Sequence, residues 1–337
     1  MDCKPISFSG TEMKVELTNL CSDGRCTFCS PTIRPVVIEA GQEAFLQRFE
    51  DNLDIYLENG GRKVILTGGG EPTDAPGKLF GSLRIVRERT EARGVELELL
   101  AVYTNAVKLL RPIMGCGGQT FLDRLAEMGL KDINLSVHGL TREQKEVISG
   151  PAMADVDFET LIPAIVRKGM RVMTRTVLAD GFIDSVQQVE EFVSWAARLG
   201  VGICYFSDMF SLPIRNEQTT PGSQEVMKWT DDHRAQFDEL VADVMKSNAF
   251  TFVSEFARHN AQGRTFEFKH CESGIRVMLG DLAIGNESET EATYGYMKPD
   301  GSMDTHNNAR DTSHRQFVSP EETKAYLQMY RPGRDDL

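Results

Sequence analysis

From residue 13 to residue 207 short apolar runs alternate with longer stretches whose apolar residues recur at helical spacing. Short runs that are apolar at nearly every position suit strands covered on both faces, as in parallel sheets whose crossovers are helices. Strands are expected at 13–17, 63–67, 97–103, 132–137, 171–178 and 202–207, and helices at 44–58, 79–92, 121–128, 158–168 and 185–199. That alternation predicts a parallel α/β sheet or a partial barrel. The pattern changes near residue 210. Residues 212–230 read as a loop or linker and 232–246 as a helix, and the chain from 250 onward mixes strand-like pieces with polar turns. Lys298-Pro299-Asp300-Gly301 is a strong turn signal between two short extended segments.

With 337 residues, 41% of them hydrophobic, the chain can bury one large core, or a core and a small appended unit. Its formal net charge is -13 and it has no basic run, which argues against nucleic acid as a partner, because such binding depends on Lys and Arg neutralising phosphates. Residues 1–5 lack a secretory pattern, and no apolar stretch approaches the roughly 18–20 residues that span a bilayer. The expectation is a cytoplasmic protein with no membrane partner. In a reducing compartment a tight group of cysteines reads as metal-binding or catalytic before it reads as a disulfide framework.

That group is Cys21, Cys26 and Cys29, on a loop that follows the first expected strand. Structural zinc wants four closed ligands, and the next cysteine along the chain is Cys116. The C-x4-C-x2-C spacing also occurs in plant-type [2Fe–2S] ferredoxins, where a fourth cysteine follows. A [4Fe–4S] cluster with three protein thiolates would instead leave one iron open for a small molecule. One βα unit later, the second expected strand ends at Thr67-Gly68-Gly69-Gly70-Glu71-Pro72. A glycine-rich strand end permits close backbone approach to a ligand, although it is often only a turn.

A cysteine cluster after strand one and Gly-Gly-Glu-Pro after strand two resemble the radical S-adenosylmethionine (SAM) superfamily. Phe28, just before the last cysteine, fits the same pattern. The spacing departs from it: the common motif is C-x3-C-x2-C, and this chain has one more residue between its first two cysteines. The resemblance implies a partial (β/α)6 radical SAM barrel over about residues 10–210. A small α+β C-terminal extension, 211–337, would cover the barrel mouth without an auxiliary cluster. It implies one [4Fe–4S] cluster on Cys21, Cys26 and Cys29, with SAM contacted by Gly69, Gly70, Glu71, Thr104, Asn105, Ser136 and Arg175, and with His138 close by. Such an enzyme cleaves SAM reductively to a 5′-deoxyadenosyl radical and takes its electron from a flavodoxin-like or ferredoxin-like donor.

A small polar metabolite or natural-product intermediate leads as substrate, with rearrangement, dehydration, oxidation, epimerisation or cyclisation all open as outcomes. A peptide-modifying maturase ranks second, since only about twenty residues precede the cluster. From another class, a non-enzymatic iron–sulfur or zinc-binding module is the alternative. Cys204 and Cys271 are candidate hydrogen-atom donors, and His270, Arg276, Tyr294, Tyr296 and His306 are candidate substrate contacts.

Overall fold

In the computed structural model, residues 12–23, 26–29, 38–113, 117–209, 221–257, 264–280 and 296–304 are described. The expected alternation folds as six parallel strands with helical crossovers: β1 (Met13–Glu16), β2 (Lys63–Thr67), β3 (Leu99–Thr104), β4 (Asp132–Ser136), β5 (Arg171–Val177) and β6 (Ile203–Ser207). The main crossover helices are α1 (Gln42–Glu58), α2 (Pro76–Arg93), α3 (Phe121–Glu127), α6 (Phe158–Arg167) and α7 (Val186–Leu199). Two short helices not foreseen from the sequence, α4 (Arg142–Ser149) and α5 (Pro151–Ala154), follow β4.

Side chains on one face of the sheet line up across the strands as Leu66, Val102, Ile133 and Val172, with Cys204, Val277 and Phe268 further along. This face packs with Phe45, Phe49, Leu83 and Phe192 from the helices into one core. Helix starts are set by local chemistry. Thr120, Thr141 and Ser185 each form a reciprocal capping box with the residue three positions on, satisfying N–H groups that the first turn leaves without partners.

The C-terminal part supplies further strands. Among the described residues it extends the same sheet at both edges: β7 (Phe250–Ala257), β8 (Arg264–His270) and β9 (Arg276–Gly280) add beyond β6, and β10 (Tyr296–Met297) and β11 (Met303–Asp304) add beyond β1. β9 is parallel to β6, and β8 is antiparallel to its neighbours β7 and β9. The 212–230 linker expectation fails in its second half, where α8 (Pro221–Asp232) forms. Proline is well suited to the first turn of a helix, and a lone Pro-Gly pair in a polar stretch masks that start in sequence. The helix expected at 232–246 is the shorter α9 (Phe237–Lys246). The expected turn at Lys298–Gly301 is present, closed by a Gly301 N–H to Lys298 O bond of 2.8 Å.

Phe192 on α7 is fully buried against Trp195 and Phe206, with ring centroids 5.3 and 5.2 Å away. Phe192→Ala is expected to cost about 3–5 kcal/mol. Val253→Ser, on a half-exposed position of β7, is expected to change stability by no more than about 0.5 kcal/mol. Urea unfolding of both variants measures the contrast.

Candidate active site at the carboxyl ends of the strands

The chain leaves β1 through Leu17-Thr18-Asn19-Leu20 and enters the cysteine loop already fastened to the end of β2. Leu17 N–H donates to Thr67 O at 2.9 Å, Gly70 N–H to Thr18 O at 2.9 Å, and Glu71 N–H to Leu20 O at 2.8 Å. The fit explains one of the glycines. A Cβ on Gly70 would lie 1.9 Å from Leu20 O, which backbone cannot tolerate, whereas one on Gly69 would meet the end of the Asn19 side chain at 3.1 Å. From the other side, Glu39 accepts from Thr18 Oγ1 at 2.7 Å and Asn19 N–H at 2.6 Å, and pairs with Lys78 at 3.0 Å.

Glu71 is only 3% exposed. Its Oε1 accepts from Thr73 N–H (3.1 Å), Thr73 Oγ1 (2.9 Å) and Thr104 Oγ1 (2.7 Å), and its Oε2 accepts from Asn105 N–H (2.7 Å). Burial nonetheless pushes its carboxyl above the ordinary range. The side chain is therefore a bracket between the ends of β2 and β3, with both oxygens accepting hydrogen bonds inside the protein. What it positions is Asn105, whose side-chain Nδ2 lies 4.0 Å from Cys21 Sγ. The next residue, Ala106, has a φ of 71°, the left-handed region where a non-glycine residue is strained.

The three cysteines share this mouth. Cys21 is exposed, and Cys26 and Cys29 are half-buried. The Cys26 sulfur is enclosed, and this desolvation, with added repulsion from Cys29 and Cys21, pushes its thiol up to about 12. Among the described residues no three His, Cys, Asp or Glu side chains are closed to metal-holding distance. The donor set fits the implied cluster: three soft thiols on one loop, near enough to feel one another's charge, suit an iron–sulfur centre with one iron left open. The loop's second half is tied to α4, where Thr27 N–H donates to Ile148 O at 2.9 Å.

Phe28 packs edge-on against His138, ring centroids 4.8 Å apart. His138 Nδ1 accepts from Val177 N–H at 3.2 Å, joining the ends of β4 and β5. Burial lowers its pKa to about 3, so the ring is neutral. Nearby, Ser136 is paired in register with Arg175, and Arg175 with Tyr205. The Arg175 guanidinium lies 4.5 Å from the Tyr205 ring centroid and 5.1 Å from that of Tyr103, two strands away, so the sheet curves toward this face. Its Nε is buried with no hydrogen-bond partner among the described residues. Gly280 leaves room for the Tyr205 hydroxyl, which would be 2.1 Å from a Cβ there.

The remaining expected residues are not brought here. Cys204 points to the helix-covered face in register with Thr174 and Val277, one residue out of phase with Tyr205, and burial pushes its thiol up to about 12. Cys271 lies in the β8–β9 turn. Because Ile203 pairs with Arg276, that turn is level with the amino end of β6, opposite the cysteine loop. His270 bonds Ser273 there, at 2.8 Å, and Arg276 pairs with Glu267 at 2.8 Å. Tyr296 pairs with Lys14 on β10, and Cys116, Tyr294 and His306 lie outside the described residues. The sequence reading missed Glu39, Asp74, Lys108 and Ile148. A capping pattern at Thr141–Gln144 was the one local signal for α4, and nothing local marked the others.

Gly70→Ala is expected to lower stability by more than about 2 kcal/mol and to abolish iron incorporation. Gly69→Ala is expected to stay within about 1 kcal/mol, since a side-chain amide can yield. Urea midpoints of the metal-free variants decide this, and equal losses would refute the packing argument. For His138, a folded pKa below the ordinary value of about 6.5 means that the neutral ring's contribution is complete above that pH and drains as pH falls toward about 3. In carbon-13 histidine-labelled protein its ring resonance is expected to stay at the neutral position down to pH 5.

A family model for the radical SAM superfamily matches residues 15–196. The chain is 29% identical over 201 residues to a GTP 3′,8-cyclase of Aquifex aeolicus, covering 58% of this chain and 56% of that protein. It is 27% identical over 192 residues to a probable GTP 3′,8-cyclase of Sulfurisphaera tokodaii, covering 56% and 53%. The chain thus spans about half the length of these curated relatives. The crystal structure of Streptococcus suis SuiB bound to S-adenosylmethionine shares the fold, with a TM-score of 0.57 at 14% identity over 96% of this chain and 64% of that one. The matched region runs from β1 through most of α7 and takes in the cysteine loop, the Gly-Gly-Glu-Pro segment and the mouth, and the chain belongs to the radical SAM superfamily, whose enzymes use a [4Fe–4S] cluster and SAM.

Proposed function

We propose that this protein binds one [4Fe–4S] cluster on Cys21, Cys26 and Cys29, and SAM at the mouth, and abstracts hydrogen from a small polar metabolite or natural-product intermediate. When bound, the cluster and SAM supply a 5′-deoxyadenosyl radical, formed with methionine by one-electron cleavage of the sulfonium.

The observation that carries the reading is Arg175. A guanidinium whose Nε is buried and has no partner among the described residues is costly unless an anion completes it, and its planar fork suits a carboxylate. The acid acting on it, Glu12, is shared with Lys14 at 3.6 Å. Tyr103 and Tyr205 lie against the guanidinium, and Tyr103 also hydrogen-bonds it, so the unpartnered Nε is the position assigned to the methionyl carboxylate of SAM, with Ser136 beside Arg175 in register. Gly69, Gly70 and Asn105 line the same mouth and are assigned to the amino end of SAM. Neutral His138 and the apolar group of Ile148, Val177 and Met209 would keep water from the radical.

A small substrate is favoured over a peptide by the curated relatives, whose names denote cyclisation of a nucleotide; the nucleotide itself is not assigned to this chain. The electron would come from an external flavodoxin-like or ferredoxin-like protein. Cys204 and Cys271 have no part in the proposal, given their places in the sheet. No helix among the described residues is long and apolar enough to cross a membrane.

Anaerobically reconstituted protein is expected to hold about four irons and, with dithionite, to form 5′-deoxyadenosine from SAM. Arg175→Met is expected to weaken SAM binding at least tenfold, corresponding to about 1.4 kcal/mol, with iron content unchanged and Arg175→Lys intermediate. Deuterium transfer from labelled small metabolites into 5′-deoxyadenosine would then identify the substrate. Stoichiometric zinc without SAM binding would overturn the reading in favour of a structural metal module.

A further inference from the structure

Resting on the cluster assignment above, we propose that Lys108 and Asp74 form a charge-balanced clasp on Ser22 and Asp23 that presets the segment after Cys21 for cluster assembly and sets the electrostatic environment of the cluster. Ser22 and Asp23 belong to the segment that is one residue longer than the common superfamily spacing. Ser22 donates to Asp74 twice, through N–H to Oδ2 at 2.7 Å and through Oγ to Oδ1 at 2.8 Å. Lys108 Nζ pairs with Asp74, donates to Ser22 Oγ at 2.9 Å, and lies 3.2 Å from Asp23 Oδ2. Arg111 approaches Asp23 at 3.7 Å.

Surface ion pairs contribute little because water competes for both partners. This group differs: the Asp74 side chain is 2% exposed and its two oxygens receive the loop's backbone as well as side chains. The anchors come from separate places. Asp74 ends the short turn Pro72–Asp74 after the Gly-Gly-Glu segment, and Lys108 lies on the loop after β3, three residues beyond Asn105. The loop after β3 thus reaches the cysteine segment twice, at Cys21 through Asn105 and at Ser22 and Asp23 through Lys108.

Two cations, Lys108 and Arg111, face two carboxylates, Asp23 and Asp74, so the clasp adds no net charge beside Cys21. Removing one cation or one anion would leave opposite residual charges next to the cluster. A role limited to holding the loop would not distinguish the two removals, and an electrostatic role would. These side chains are positioning residues; none is assigned contact with substrate or SAM.

The test compares full-length K108M, D74N and K108R with the unaltered protein. In metal-free protein, hydrogen exchange in peptides covering residues 20–27 and alkylation of Cys21 are expected to be about tenfold faster in K108M and D74N. K108R should remain near the unaltered rate, and exchange in α7 should be unchanged throughout. After anaerobic reconstitution, the cluster potential is expected to move negative in K108M, which leaves carboxylate charge in excess, and positive in D74N. Unchanged loop exchange in both variants, or potentials moving in the same direction, would overturn the proposal. If K108M or D74N loses the fold, visible as raised α7 exchange, K108R decides: near-normal loop protection and potential support the clasp, and loss of either counts against it.

Discussion

The mouth of this barrel depends on a single backbone contact, the seating of Leu20 against Gly70. A carbonyl can come that close only because position 70 has no Cβ. Once it does, the chain from Leu17 to Leu20 is hydrogen-bonded along the end of β2, and the cysteine loop starts from a fixed point. The Glu71 carboxylate then ties that point to β3 through Thr104 and Asn105. Four donors offset part of the cost of burying this carboxyl, and removing any of them would leave a buried acceptor short of a partner.

Packing alone already asks much of the Gly-Gly-Glu-Pro segment. Gly70 admits the Leu20 carbonyl and Glu71 brackets two strand ends, while a Cβ on Gly69 would first meet the Asn19 and Glu16 side chains. A similar contrast between neighbouring positions runs through the sheet. The two-residue period of a strand puts Arg175 and Tyr205 on one face and Thr174, Cys204 and Phe206 on the other. A one-residue difference in phase therefore decides whether a side chain can meet a ligand at the mouth or belongs to the core.

Much of the fold was legible because a parallel sheet covered on both faces leaves a strong mark: apolar strands such as Lys63–Thr67 between helices of ordinary length. The candidate site was marked in the sequence by unusual residues in a tight pattern, at the cysteines and the glycines. Cys204 and Cys271 were conspicuous as thiols, but their places depend on strand phase and strand direction, which the sequence does not display. Cys271 required knowing that β8 and β9 form an antiparallel pair whose turn lies at the far end of the barrel. α8 was missed because its start is Pro221-Gly222, residues that read as a turn in isolation. Asp74 and Lys108 left no local signal at all, since their partners are 52 and 86 residues away.

Radical chemistry has less use for tuned acids and bases than for geometry, and the titratable groups at this mouth are engaged within the protein. The imidazole nearest the cysteine loop is held neutral and spends Nδ1 on a backbone N–H. Burial raises the Asp74 carboxyl, but hydrogen bonds from Lys108 and Ser22 outweigh it and keep the group below its usual range. Burial likewise lowers Lys108, and the bonds to Asp74 and Asp23 more than restore it, so both partners stay charged and paired. Only Arg175 combines full charge with a buried nitrogen that no described residue satisfies. On the proposed reading, that unpartnered nitrogen on β5 is the group that an anionic ligand at the mouth would complete, because a preoriented buried guanidinium gains more from a carboxylate than an exposed one does.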